Sequence, residues 1–255
     1  ELGPGYNVRV LPDVSSVWGW CVLGMQCVYI LGIRIDNVTS SEALTRIGGL
    51  LEDGKCHQVG TVNPEFVVTA QSDAQFAQVL AAADLAAPDG AGLLLAARWL
   101  GTPLRARVTG VDLSWRLAAL AAERGYRLYL LGAAPGVAEQ TAARLAATYP
   151  ALRIAGTYAG SPAPAEEEEI VARIREAGAD ILLVAYGAPA QDVWIARNLA
   201  RTGARLAVGV GGALDYIAGV SPWAPAWMRR LGLEWLYRLI RQPWRWKRIW
   251  VAVPY

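Results

Sequence analysis

Two short stretches of this sequence place reactive side chains at the ends of apolar runs. Pro88-Asp89-Gly90 presents a carboxylate at a tight turn, just before a helical pattern. Thr61-Val62-Asn63-Pro64 presents a hydroxyl and an amide in a similar place. A carboxylate held beside a bound hydroxyl group can act as a general base. Taken singly, each stretch is more often a turn or a helix cap, so both interpretations stay open at this point.

Two later stretches are rich in small residues that let a ligand approach the backbone. The segment YGAPAQDVW contains Gln191, whose amide offers both a donor and an acceptor to a nucleobase or sugar edge. The segment GVGGALD contains Gly211 and Gly212, whose N–H groups could hold phosphate oxygens, with Asp215 close behind. A third segment, GAAPG, lacks the three-glycine spacing of a dinucleotide fingerprint and is more typical of a packing turn.

The sequence gives little support for a metal site. It contains no Asp-x-Asp pair and one histidine, His57. Its three cysteines, Cys21, Cys27 and Cys56, form no metal-ligand pattern. We therefore expect reduced thiols, as in a cytoplasmic compartment, and neither a metal nor a cofactor.

The C-terminal stretch from Trp223 to Tyr255 has an unusual composition. It holds six of the eleven tryptophans and seven basic residues, against one acid, Glu234. Tryptophan suits the boundary between water and lipid, and arginine binds phosphate with a planar set of donors. This composition favours a membrane surface, although a helix docked on its own domain would also explain it. Pro243 is expected to divide the stretch into two short helices.

The remaining composition excludes some classes of protein. A net charge of +2 argues against general nucleic-acid binding. Val14 to Ile33 carries no charge over 20 residues, but its glycines and polar residues favour a strand at Val28–Ile33 over a membrane span. Residues 1–27 are predicted to form a flexible leader.

From residue 28 onward, apolar runs alternate with helical patterns. Runs such as Asp180–Ala185 are almost continuously apolar, which is typical of parallel strands covered on both faces. We therefore predict an α/β fold, with a Rossmann-like parallel sheet in residues 28–220 and a C-terminal helical, membrane-binding appendage in residues 221–255. Ligands in such sheets bind beyond the carboxyl ends of the strands, where the stretches above should meet.

Taken together, these segments resemble the WecG/TagA/CpsF family of bacterial glycosyltransferases from about Ile30 to Val251. The matching segments are, in order, LGIRIDNVT, TVNPEF, ADLAAPDGAGLLLAARWLG, RVTGVDL, YGAPAQDVWI, GVGGALDYIAG and WAPAWMRRLGLEWLYRLIRQPWRWKRIW. The resemblance implies an inverting, metal-independent transfer of a sugar from a UDP-sugar to a sugar on a polyprenyl diphosphate. It favours N-acetylmannosamine transfer to N-acetylglucosamine for a surface polysaccharide or teichoic acid. Glucose, galactose or a uronic acid is the alternative donor sugar.

The resemblance also implies roles for individual residues. Asp89 matches the proposed catalytic base. Independently of the resemblance, the backbone N–H groups of Gly211 and Gly212 are expected to stabilise the leaving diphosphate. The other positions carried over are Thr61 beside the base, Asn63 and Arg107 in the pocket, Gln191 and Asp215 toward the nucleotide, and Arg238, Arg245 and Arg248 toward the lipid diphosphate. The sequence departs from the family pattern at Trp223 (usually Arg), Leu214 (usually Phe) and Asp192 (usually Glu).

Two other classes of protein are alternatives to an enzyme of this kind. A nicotinamide-dependent oxidoreductase would share the fold but should carry the missing three-glycine fingerprint. A non-catalytic membrane adaptor would not need polar side chains at several strand ends. An enzyme acting on a lipid acceptor should work in the cytoplasm, peripherally on the inner face of the plasma membrane. Its exposed tryptophans leave self-association into a homo-oligomer open.

Overall fold

A computed structural model of the chain describes residues 19–20, 26–225, 227–228 and 234–241. Six strands form a fully parallel sheet in the order β5-β4-β9-β8-β6-β7. These strands are β4 (His57–Val62), β5 (Leu85–Pro88), β6 (Arg127–Gly132), β7 (Arg153–Tyr158), β8 (Ile181–Ala185) and β9 (Leu206–Gly209). The predicted parallel sheet is confirmed. All five residues of β8 are buried, which explains why this strand is continuously apolar in the sequence.

Helices cover both faces of this sheet. They are α1 (Ser40–Glu52), α2 (Pro64–Ser72), α3 (Ala74–Ala82), α4 (Ala91–Trp99), α5 (Gly110–Arg124), α6 (Val137–Thr148), α7 (Glu167–Ala177), α8 (Ala190–Thr202) and α9 (Ala213–Ala218). One core packs α1, α5, α6 and α9 on one face, and two further cores pack the remaining helices on the other. Alternate strand residues supply the two faces, as the two-residue period of a strand requires.

The N-terminal part differs from the prediction of one strand at Val28–Ile33. Two strands, β2 (Gln26–Ile30) and β3 (Ile33–Asp36), form an antiparallel hairpin, and β1 (Gly19–Trp20) pairs with β2. The hairpin turns at Leu31 and Gly32, which both have positive φ, as a type I′ hairpin turn requires. The predicted boundary between residues 27 and 28 therefore falls inside a strand. Residues 1–18 and 21–25 of the predicted leader lie outside the described residues.

The prediction of reduced thiols is wrong for Cys27. This residue takes part in a disulfide bond, whereas Cys56 is a free, exposed thiol. The antiparallel pairing of β1 with β2 places Gly19 opposite Cys27 and holds neighbouring stretches of chain side by side. The spacing of the cysteines along the sequence did not predict a disulfide bond at Cys27.

The predicted C-terminal appendage is described in part. Its helix α10 spans Glu234–Arg241, and the predicted break at Pro243 lies outside the described residues. Residues 242–255, which include Arg245 and Arg248, lie outside the described residues, and the side chain of Arg238 is not described. Among the described helices, none is long and apolar enough to cross a membrane.

Candidate active site

A cleft of about 180 Å³ lies at the carboxyl ends of β4, β5, β8 and β9. The structure brings most of the predicted site residues together in its lining. These are Thr61, Asn63, Asp89, Arg107, Gln191, Gly211 and Gly212. Asp215 lies just behind the lining, in the first turn of α9, with its carboxylate close to Gly212. An enclosed small-molecule pocket typically measures about 300–1,000 Å³, so this cleft is small for an entire nucleotide sugar.

Asp89 follows β5 and projects its carboxylate toward the start of α5. Its backbone N–H donates to the carbonyl oxygen of Val62 at 2.6 Å, which ties the turn to the neighbouring strand. Its Oδ2 accepts a hydrogen bond from the N–H of Gly110 at 3.3 Å. The N-cap of the following helix α4 is Gly90, so Asp89 does not cap its own helix. The amino end of α5 favours negative charge, which suits a carboxylate at this position.

The turn after Asp89 needs glycine at residue 90. Gly90 has φ +112, and a Cβ added there would lie 3.1 Å from the Cδ of Pro64. Pro64 is the first residue of α2, where a missing N–H costs nothing. The two predicted stretches, one after β4 and one after β5, therefore pack directly against each other.

Thr61 and Asn63 both line the cleft and also hold the local structure. Thr61 is buried on β4, and its hydroxyl donates to the carbonyl oxygen of Gly209 on β9 at 2.8 Å. The Oδ1 of Asn63 accepts from the N–H of Phe66 at 3.1 Å and caps α2. The capping interpretation of Asn63 is thus confirmed, and it coexists with a place in the cleft.

Gln191 is almost fully buried and joins two of the loops that form the cleft. Its Oε1 accepts hydrogen bonds from the N–H of Gly187 at 3.1 Å and from the N–H of Gly211 at 2.9 Å. The first loop follows β8 and the second follows β9. The Gly211 N–H, which was expected to hold a phosphate oxygen, donates to Gln191 in this structure. Gly212, the N-cap of α9, has no side-chain cap and remains in the lining.

Arg107 lies in the loop between α4 and α5 and pairs with the C-terminal helix. Its Nη1 donates to Oε2 of Glu234, the first residue of α10, at 2.5 Å. Both side chains are about a quarter exposed, at 28% and 26%. Glu234 was not predicted as a site residue. The signal that could have found it is its position as the single acid among seven basic residues of the C-terminal stretch.

Two more lining residues were also missed. Glu65 lies in the first turn of α2, directly after the Asn63-Pro64 cap. Trp223 lies at the rim with its ring 4.8 Å from that of Tyr216. The sequence marked Trp223 only as a departure from the usual arginine. Aromatic packing on Tyr216 accounts for an apolar ring at this position.

The described lining has an excess of negative charge. It contains three carboxylates, Glu65, Asp89 and Glu234, and one cation, Arg107. In the described part of the chain, no three His, Cys, Asp or Glu side chains are grouped so as to hold a metal ion. An anionic ligand would therefore need further positive charge from outside this lining.

Asp192 is a buried carboxylate just behind the cleft. Neither of its oxygens has a partner with hydrogen-bond geometry, and Gly60 and Gly209 pack close to it. Burial raises the pKa of Asp192 to about 7, and the neighbouring Gln191 amide opposes this shift only in part. An ionised carboxylate that is buried without a partner lowers the free energy of unfolding. Ionised Asp192 therefore destabilises the fold at this position beside Gln191.

Comparison with known proteins agrees with this geometry. The model of the glycosyl transferase WecG/TagA/CpsF family matches residues 28–255. A protein of Bacillus subtilis (strain 168), called N-acetylglucosaminyldiphosphoundecaprenol N-acetyl-beta-D-mannosaminyltransferase, is 34% identical over 77% of this chain and 75% of its own length. Proteins of the same name from Bacillus spizizenii and Staphylococcus aureus (strain MW2) are 33% and 30% identical. They match over 80% and 87% of this chain, and over 78% and 86% of their own lengths.

The family match spans every strand of the parallel sheet and every residue of the cleft. The match of these relatives likewise covers at least three quarters of each chain. On this evidence of sequence and site together, the chain belongs to the WecG/TagA/CpsF family of glycosyl transferases.

Proposed function

We propose that this enzyme transfers N-acetylmannosamine from its UDP derivative to N-acetylglucosamine carried on a polyprenyl diphosphate. The acceptor and the transferred sugar follow the name shared by its relatives. The observation that carries the proposal is the Asp89 carboxylate, held by Gly110 within a cleft lined by matched residues.

In the proposed reaction, Asp89 removes the proton from the acceptor hydroxyl as that oxygen attacks the anomeric carbon. The attack comes from the face opposite the nucleotide, so the configuration inverts, the C–O bond to UDP breaks, and UDP leaves. Thr61 lies beside this step, with its oxygen available as an acceptor. A positioned general base of this kind contributes about 10²–10⁴ in rate.

The leaving UDP gathers negative charge that the described lining alone does not balance. Arg107 offers the guanidinium donors that its pair with Glu234 leaves over, and Gly212 offers a backbone N–H. We propose that Arg238, Arg245 and Arg248 of the C-terminal stretch supply further charge to the lipid diphosphate. Such a reaction proceeds without a metal ion, on the inner face of the plasma membrane, where the C-terminal stretch meets the head groups.

A panel of donors with one acceptor tests this function. The full chain is incubated with polyprenyl-diphosphate N-acetylglucosamine and, separately, with UDP-activated N-acetylmannosamine, glucose, galactose and glucuronic acid. We expect the disaccharide lipid and free UDP with the first donor, unchanged when EDTA is added. Faster transfer from another donor would reassign the sugar. No transfer from any donor would refute the proposed function.

A further inference from the structure

The pair between Glu234 and Arg107 joins the C-terminal helix to the catalytic cleft, and we infer that Glu234 is a positioning residue for the reaction. In this inference the pair docks α10 on the rim of the cleft, and this docking is needed for the lipid acceptor to bind productively. The inference rests on the proposed function and adds the device that couples the C-terminal stretch to the site.

The geometry of the pair supports an anchoring contact. The two side chains meet at 2.5 Å and are only about a quarter exposed. The surface pair of Arg173 and Glu169 on α7, in contrast, is about half exposed on both sides. Half-exposed pairs are worth little because water and salt screen them, whereas partly buried pairs are screened less. The Arg107 pair is thus better placed to hold two elements together.

The loop that carries Arg107 is itself fixed to the catalytic residue. The N–H of Val108 donates to the carbonyl oxygen of Pro88 at 2.7 Å, and the N–H of Gly110 donates to the carboxylate of Asp89 at 3.3 Å. A short series of bonds therefore leads from α10 through the Arg107 loop to Pro88 and to the proposed base Asp89 itself. Movement of α10 away from the rim would release one end of this series.

The charge of Glu234 is otherwise unfavourable in this position. The cleft already holds the carboxylates of Glu65 and Asp89, and both proposed substrates carry diphosphate groups. A third carboxylate would repel such ligands unless a cation neutralised it. Its pairing with Arg107 removes that penalty and explains why an acid stands in a basic stretch. Along the backbone, residue 238 follows one helical turn later and residue 241 after two turns.

The first test compares Glu234→Ala with the matched surface variant Glu169→Ala. We expect Glu234→Ala to bind UDP at least as tightly as the wild type, by calorimetry, because Arg107 loses its counter-charge. The KM for the lipid acceptor should nevertheless rise about tenfold, as expected for a lost contact of roughly 1.4 kcal/mol. Amide hydrogen exchange across residues 234–241 should accelerate to a similar degree. Glu169→Ala should change none of these. An unchanged acceptor KM, or unchanged exchange in Glu234→Ala, would overturn the inference.

The second test exchanges the two charges. In the double variant Arg107→Glu with Glu234→Arg, we expect slow exchange across residues 234–241 to return while transfer stays low, because the cation no longer lies at residue 107. Exchange as fast as in Glu234→Ala would contradict an anchoring pair. Because exchange is measured without substrate, a failure of the proposed function, seen as an inactive wild type, is distinguishable from a failure of this inference.

Discussion

The hydroxyl of Thr61 donates its hydrogen to the carbonyl oxygen of Gly209, across the adjacent strands β4 and β9, at 2.8 Å. A hydroxyl has one hydrogen to donate and two lone pairs to accept with. Thr61 can therefore accept a hydrogen bond from an incoming sugar hydroxyl but cannot also donate to a phosphate oxygen. Under the proposed function, this favours a contribution of Thr61 on the acceptor side of the reaction.

Replacing Thr61 separates its two contributions. Thr61→Val keeps the shape but leaves the Gly209 carbonyl without this donor, which should lower the free energy of unfolding by about 1–3 kcal/mol. Turnover should fall as well, because the acceptor hydroxyl loses a partner. Thr61→Ser keeps the hydroxyl, so it should retain most of the stability and most of the turnover. Chemical denaturation and steady-state kinetics provide the measurements, and full turnover in Thr61→Val would exclude any role in the reaction.

Gln191 should act on donor binding through the loops that it joins. Gln191→Met removes the acceptor for the N–H groups of Gly187 and Gly211 while keeping a similar length. We expect the Kd for UDP to rise about tenfold, in line with roughly 1.4 kcal/mol per factor of ten. Calorimetry with UDP provides the measurement. A Kd equal to that of the wild type would mean that the two loops hold their shape without this side chain.

Asp192 should make the fold less stable at neutral pH than at acid pH. Its pKa is raised to about 7 by burial, so the folded state holds a proton that the unfolded state releases near its ordinary value of 3.8. Stability therefore falls as the pH rises from about 4 to about 7, by up to roughly 4 kcal/mol at 1.36 kcal/mol per pKa unit. Above pH 7 the fold carries the full free-energy cost of the buried, ionised carboxylate.

The variant Asp192→Asn tests this pH dependence. It removes the charge and keeps the shape, so it should be more stable than the wild type at pH 8 and should show a flatter profile between pH 4 and 7. Urea unfolding at a series of pH values measures both quantities. A variant less stable at pH 8, with an unchanged profile, would show that the Asp192 carboxylate is not buried as described.

His57 lies at the opposite end of β4 from the cleft, and it should make the stability of the fold depend on pH. Burial alone would lower its pKa, but the hydrogen bond to Asp53 at 2.8 Å and the ion-pair contact with Asp84 at 3.0 Å outweigh burial and raise it. The stabilisation is fully present below the unfolded pKa of about 6.5 and is lost as the pH rises through the higher folded value. His57→Gln should lose stability at pH 5.5 more than at pH 9, with transfer kinetics unchanged. An equal loss at both pH values would contradict the charged pair.

The sequence predicted the sheet and the strand-end residues because both depend on local patterns. Continuous apolar runs such as β8 mark buried parallel strands, and their carboxyl ends meet at one edge. The hairpin at Leu31-Gly32 was missed because its turn lacks the usual Asn-Gly or Asp-Gly signal. One uninterrupted apolar run then suggested one strand.

The missed parts of the site depend on contacts between residues far apart in the chain. Arg107 and Glu234 are separated by 127 positions, and no periodicity links them. The occupation of the Gly211 N–H by Gln191 depends on how the loops after β8 and β9 pack. Local composition predicted which residue types gather in the cleft, but it could not assign which hydrogen bonds were already in use.

The central claim, that Asp89 is the general base, is tested most directly by single-turnover transfer with Asp89→Asn. This variant keeps the size of the side chain and an oxygen that can accept from the Gly110 N–H. We predict a rate lower by at least about 10², with the Kd for UDP unchanged by calorimetry. Transfer by Asp89→Asn at a rate near that of the wild type would contradict the account.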